Sequence, residues 1–382
     1  MSQSFIPAVF YRGGTSKGVF FHARDLPADR DACDRIFLAA IGSPDPYGRQ
    51  LNGMGGGISS LSKAVVIGPP THPEADVDFT FIQLAVEEPV ADWSNNCGNL
   101  SSAVGHFAVD EGLVPAKDGE VLVRIHQTNT KKIIHSRLTV QDGKAATAGD
   151  YGIAGVAGTG SRIRLDFLAP GGAVTGKLLP TGNVVDTIDL GADGQFEVSI
   201  IDATSPIVYV DAQSVGLKGS ETPNDIEAQP RVMSLLEKLR RQAGVMIGLA
   251  RELEQVGLQT PRIALAARAA PFKSLDGTSY HAQDFDVATR MMSMQRAHRA
   301  VPGTGGLNLG VATQVGGSIP NRLSRPANAA GEVRVANPSG LVSVGAVVRQ
   351  SGGEWIADSA VLFRTARRLM QGEVAVPAAA MA

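Results

Sequence analysis

Short apolar runs that alternate with polar positions fill most of this chain, and glycine and proline punctuate them. Residues 8–10 and 18–22 read as the two strands of a hairpin around a glycine-rich connection, and 63–67 as a strand stopped by Gly68-Pro69-Pro70. Residues 77–86 alternate in part (Val77, Phe79, Phe81), as a half-buried strand does. Further strands are predicted near 121–125, 132–140 and 162–167. Residues 29–40 instead space Ile36, Phe37 and Ala40 as one helical face and end before Gly42-Ser43-Pro44. A helix of small residues is predicted over 100–108.

The second half repeats the theme. Strands are predicted over 196–201, 207–210, 262–267, 332–335, 341–348, 355–361 and 373–376. Residues 230–253 carry helical spacing (Val232, Leu235, Leu236, Leu239, then Val245, Met246, Leu249, Leu253), read as two helices broken near Gly244, with Pro230 at a first helical position. Residues 284–298 are also read as helical. Gly303-Thr304-Gly305-Gly306 opens a second small-residue helix over 307–314. Each half therefore sets strands around one helix that starts from a glycine-rich turn, an α+β pattern of two similar domains. The domains are placed at 1–185 and 186–382, with turn residues clustered over 180–194 and the last strand free to return to the first domain. If the halves face each other, both helix starts point into one cleft suited to a small polyanion.

Composition narrows the class. A chain of 382 residues exceeds one ordinary core, which supports two domains. A net charge of −2 gives no electrostatic case for nucleic acid or an anionic membrane. No apolar run approaches the ~20 residues that span a bilayer, and the first ten residues lack the basic and apolar regions of a secretory signal. Cys33 and Cys97 are the only cysteines, too few for a disulfide framework or a four-cysteine zinc site, and a reducing cytoplasm is the natural compartment. The histidines show no HExxH spacing, so no metal is expected.

Candidate chemistry centres on Asn96-Cys97-Gly98-Asn99, just before the helix over 100–108. A thiol there meets unpaired backbone N–H groups and the positive end of the helix dipole, and both favour the thiolate. Gly98 lets a carboxylate approach the backbone. Taken alone, such a cysteine is equally a packed helix-start residue. Arg12-Gly13-Gly14-Thr15-Ser16-Lys17-Gly18 is not a nucleotide loop, because Lys17 precedes glycine; it reads as a wide turn offering Thr15 and Ser16 hydroxyls and N–H groups to oxygen ligands, or as a plain hairpin loop. Asn52-Gly53-Met54-Gly55-Gly56-Gly57 suggests backbone lining a pocket, with Lys63 at its edge as an acid–base group; an exposed lysine before a strand is the commoner case. His106 and Cys33 read as packing residues, and His298 as a surface helix end.

Together these motifs resemble the PrpF family of isomerases. The matching stretches also include Gly42-Ser43-Pro44-Asp45, Ser62-Lys63, Pro180-Thr181-Gly182-Asn183, Thr304-Gly305 and Pro338-Ser339-Gly340, in order over nearly the whole chain. The resemblance implies the diaminopimelate epimerase-like fold, two domains that each wrap a sheet or barrel around a central helix, with the active-site cleft between them. It implies Lys63 and Cys97 as catalytic residues and no cofactor. Thr15, Ser16, Gly55, Gly56, Asn96, Gly98, Asn99, Thr304, Gly305 and Gly306 would bind a small unsaturated di- or tricarboxylate. The implied activity is 2-methylaconitate cis-trans isomerisation within propionate catabolism, with 3-methylitaconate Δ-isomerisation and 4-oxalomesaconate tautomerisation as alternatives. A carboxylate-binding accessory protein of a dehydratase is the reading from another class, and a homodimer is allowed. The chain departs from the family pattern at Asn52 (often Asp), Leu61 (often Thr) and Asn337 (often His). The second-domain motif carries no cysteine, which disfavours racemisation.

Overall fold

The computed structural model describes residues 2–94, 96–258, 260–293, 295–329 and 331–381. They form two compact units: Met1–Asp166 with Phe363–Ala382, and Phe167–Leu362. No helix among the described residues is long and apolar enough to cross a membrane.

The first unit is a curved sheet with a helix on each face. Strand β1 (Gln3–Gly13) turns into β2 (Ser16–His22) through Gly14 and Thr15 alone, since Gly13 pairs with Ser16. The expected wide turn is thus a two-residue one, and Gly14 meets its left-handed backbone with φ 52°. Helix α1 (Arg30–Ile41) follows, capped by the Asp29 carboxylate accepting from the Ala32 N–H at 2.8 Å. Strand β3 (Lys63–Gly68) runs parallel to β2, and β4 (Val77–Leu84) pairs antiparallel with β3. A short β5 (Ala91–Asp92) precedes helix α2 (Ser101–Asp110), and β6 (Gly119–Gln127) and β7 (Lys132–Gln141) extend the sheet beyond β4. On the far side of β1 lies Ala366–Pro377, antiparallel to it along its whole length.

Alternation in β2 shows how the faces divide. Val19 and Phe21 join Ile36, Phe37 and Ile41 of α1 in one apolar cluster. Phe20, between them, turns to the other face and meets Phe107 of α2, ring centroids 5.7 Å apart. All of α2 from Ser101 to Val109 is buried, so its small residues serve close packing on every side. At Gly105 a Cβ would lie 2.7 Å from the Ser136 hydroxyl of β7.

The second unit repeats the plan. Gln195–Ala203, Ser205–Asp211, Arg262–Arg268, Val287–Ser293, Glu332–Asn337 and Gly340–Ser351 pair in that order, and Asp186–Asp189 flanks the first of them. After a single turn, α3 (Pro223–Glu227), comes α4 (Pro230–Met246), which covers one face with Val232, Leu236 and Leu239. The small-residue helix α5 (Gly303–Gln314) is held by Asn308, whose amide donates to Ile201 O at 2.8 Å and Ser205 O at 2.7 Å and accepts from the Tyr209 hydroxyl at 2.8 Å.

Two expectations about helices fail. Residues 284–298 form no helix; Val287–Ser293 is a strand flanked by Arg262–Arg268 and Glu332–Asn337. Both its faces are covered, so residues 287–292 are buried without alternation, and an apolar run of that kind does not reveal its period. Helix α4 runs unbroken through Gly244 and stops at Met246. Glycine stands there because a Cβ would come within 2.7 Å of Val256, not because the helix ends.

Candidate active site

In the first unit the hairpin turn, the start of α2 and the first residue of β3 are packed together, and glycine makes this possible. At Gly13 a Cβ would fall 2.7 Å from the Asn99 carbonyl; at Gly18 it would fall 2.9 Å from Leu100 and 3.0 Å from the Lys63 carbonyl. Gly18 therefore touches both the strand that begins with Lys63 and the turn that follows Cys97.

The Cys97 carbonyl accepts the Ser101 N–H at 2.9 Å and the Ser101 hydroxyl at 3.0 Å, so the first helical turn already begins at the cysteine. The Asn96 side-chain oxygen accepts from the same hydroxyl at 3.3 Å. Cys97 is 9% exposed and lies at the N-terminal, positive end of that helix. Gly98 is the next residue of that turn. Asn99 bridges outward: its amide donates to the Thr15 hydroxyl at 3.0 Å, and its side-chain oxygen accepts from Arg364 Nε at 3.0 Å. Ser16, beside Thr15, is buried at the start of β2.

Lys63 is 7% exposed. Its amine donates to the Gln83 side-chain oxygen, directly across the β3–β4 ladder, and stands 4.9 Å from the centre of the Phe81 ring. Gln83 is itself fixed, donating to the carbonyls of Ser62 at 2.9 Å and Ser59 at 3.0 Å. Among the described residues no carboxylate pairs with Lys63, so the amine has a neutral acceptor and an aromatic face for company.

The glycine-rich loop before it is organised by Gln50. The Gln50 amide donates to Ser43 Oγ at 2.8 Å, and its oxygen accepts from Gly57 N–H at 2.9 Å and Ser62 Oγ at 2.8 Å. Gly55 packs against Gln50 and the Ile41 carbonyl at the end of α1, and Gly56 packs against Leu61. Close approach within the loop accounts for glycine at these positions. A cavity of about 1070 Å³ lies between α1, the loop and the C-terminal strand; Ser43 and Asn52 line it, and Ser16, Lys63, Cys97 and Asn99 do not.

In the second unit Thr304 sits in the first turn of α5, where Pro302 supplies no side-chain cap. Its hydroxyl accepts from Arg262 Nη1 at 3.0 Å and its carbonyl from the Thr204 hydroxyl at 3.0 Å. Burial lowers the Arg262 guanidinium, whose Nε has no partner among the described residues. Gly305 leaves room for Met291, and Gly306 for Val344. His298 is on no helix; its ring is turned to the Ala300 backbone.

Sequence reasoning missed Gln83, Arg364, Arg262 and Gln50. Gln83 was within reach, because the antiparallel ladder places it opposite Lys63. Arg364 lies 265 positions from the asparagine it holds, and no local spacing signals that contact. Cys33 and His106 are core residues as expected: the Cys33 thiol donates to Pro27 O at 3.2 Å. His106 is wholly buried with neither ring nitrogen partnered among the described residues, and burial takes its pKa from 6.5 to about 4.

The chain is similar to known proteins along nearly its whole length. The family model described as PrpF protein matches residues 3–377. The chain is 39% identical to 3-methylitaconate isomerase of Eubacterium barkeri and 37% identical to 2-methyl-aconitate isomerase of Cupriavidus necator, over 98% of both chains in each case. A crystal structure of methylitaconate-delta-isomerase superposes with a TM-score of 0.93 at 38% identity, covering 100% of this chain and 98% of that one. A hydroxyproline epimerase from Agrobacterium vitis, 13% identical over 98% of this chain and 93% of its own, shares the fold with a TM-score of 0.51.

Proposed function

The chain belongs to the PrpF family, and we propose that it isomerises a small unsaturated polycarboxylate, 2-methylaconitate first, with Lys63 and Cys97 carrying the proton and no cofactor. The observation that carries this reading is the packing of the Lys63 strand start and the Cys97 helix start around one glycine, Gly18. In the first step one of the two groups, as base, lifts a proton from the carbon allylic to the double bond. The electron pair moves into the conjugated system and onto a carboxylate. In the second step a proton is returned by an acid, at the original carbon after rotation about the former double bond for a cis-trans change or at the far end of the system for a double-bond shift, and the substrate's formula is unchanged.

Charge on the intermediate needs donors already in place. The Asn99 amide, the Thr15 and Ser16 hydroxyls and the N–H groups around Gly98 supply them in the first unit. Gly55 and Gly56 shape the loop behind Lys63. In the second unit the start of α5, with Thr304, Gly305 and Gly306, is assigned the same task toward a carboxylate. The wider setting of this reading is cytoplasmic propionate breakdown. A second substrate, 3-methylitaconate, is favoured by the 39% identity to the Eubacterium barkeri enzyme.

The test follows candidate acids by ultraviolet absorbance and by deuterium uptake from solvent. Lys63→Ala and Cys97→Ala are each expected to lose at least about a hundredfold in turnover. Undiminished isomerisation in both rejects the assignment. Thermal stabilisation by these acids without any deuterium exchange would instead favour a carboxylate-binding accessory protein.

A further inference from the structure

The returning C-terminal segment carries a cation that neither the motifs nor the mechanism uses. Arg364 is 8% exposed. Its Nε donates to Asn99 Oδ1 at 3.0 Å and its Nη1 to the Phe363 carbonyl at 2.8 Å, both neutral oxygens. Among the described residues no carboxylate lies within ion-pair distance of it. The titratable groups whose ionised forms would raise its pKa are the Tyr151 phenol and the Cys97 thiol. Burial pulls its pKa down to about 10.

The guanidinium is also held in place from behind. The Gly14 N–H donates to the Thr365 carbonyl at 2.9 Å, and Arg12 Nη1 donates to the same oxygen at 2.9 Å. At Gly14 a Cβ would come within 3.0 Å of the Arg364 side chain, so glycine there makes room for the arginine. A buried guanidinium has five N–H donors in a rigid fork and is stable only with its charge answered. Here the described residues offer it two neutral acceptors and no carboxylate.

We propose that Arg364, together with the Asn99 amide it orients, binds one carboxylate of a dicarboxylate ligand beside Cys97 at the start of α2. The fork answers a planar carboxylate in two bonds, which a lysine does not reproduce. Lys63 is then left free for proton transfer. The proposal rests on the polycarboxylate reading given above, and it assigns the group that anchors the substrate's charge within the first unit.

Equilibrium binding tests it without turnover. Calorimetry with succinate, which has no double bond to move, is compared with calorimetry of its monoamide, succinamate. The wild-type protein is expected to prefer succinate, and Arg364→Gln to bind succinate at least about tenfold more weakly and to lose the preference. Arg364→Lys, which keeps the charge without the fork, is expected to bind several-fold more weakly and serves if the glutamine variant does not fold. Wild-type affinity for succinate in either folded variant overturns the proposal. So does weaker binding by Arg364→Gln with the preference intact, since the loss would then come through Asn99 alone. Isomerisation with Arg364-independent binding sinks this inference only. Arg364-dependent binding with no isomerisation of any candidate acid sinks the functional reading and leaves the anchor standing.

Discussion

Gln83 decides what Lys63 can do. The amine leaves water on folding and keeps one side-chain hydrogen-bond acceptor, an amide fixed in turn by the Ser59 and Ser62 carbonyls. A neutral acceptor orients an amine without trapping it as a carboxylate would. Gln83→Leu is therefore expected to lower kcat by about tenfold to a hundredfold, the usual penalty for a misplaced reacting group, with little change in KM. Gln83→Glu would set a charge against the amine and move the basic limb of the pH–rate profile, which a purely structural glutamine would not do. Unchanged kcat in a folded Gln83→Leu sinks the positioning role.

His106, inside helix α2, makes a different prediction. Burial disfavours its cation; Asp110 opposes that effect, and Arg12 and Arg368 reinforce it, leaving a folded pKa of about 4 against 6.5 when unfolded. Below pH 6.5 the unfolded chain takes up a proton that the folded chain refuses, so stability is full above 6.5 and is lost as pH falls toward 4. The shift corresponds to about 3 kcal/mol once fully expressed. His106→Leu removes both the titration and two unpartnered nitrogens. Urea unfolding should show the variant gaining on the wild type by about 3 kcal/mol between near-neutral and acid pH. Parallel stability curves would show that the ring finds a partner in solution.

At the scale of elements, much was legible. The strand of Lys63–Gly68, the buried helix of Ser101–Asp110 and its counterpart Gly303–Gln314 follow from period, small residues and glycine starts. What period cannot report is an element covered on both faces. Val287–Ser293, between two strands, loses its alternation and so passes for a helix. Glycine was the other source of error, because it marks close approach as often as a turn. Gly244 sits inside a helix beneath Val256. The motifs pointed to Lys63 and Cys97; the groups that touch Lys63 and Asn99, Gln83 and Arg364, come from ladder register and from the far end of the chain.

That far end governs the first unit as a whole. Ala366–Pro377 pairs with all of β1, and Arg364 just before it and Arg368 within it reach the two ends of α2. Arg364 holds Asn99 at the helix start. At the helix end Arg368 donates to the Tyr11 hydroxyl at 3.0 Å and to Glu111 at 2.7 Å, while Tyr11 donates to Asp110 at 3.1 Å. Val374 and Val376 complete the cluster that encloses Cys33 and α1. A chain ending at Leu362 would thus leave β1 with an open edge, α2 without its end contacts and an apolar cluster without one wall. Both cysteines lie in this unit and none in the other, which supplies a local probe. In a Cys97→Ala background the Cys33 thiol, 7% exposed in the full chain, should resist alkylation. In the same background truncated after Leu362 it should react at close to the rate of an unfolded chain, while the far-ultraviolet signal of the second unit persists. Equal protection of Cys33 in both chains would mean that β1 and α1 close the core without the returning strand.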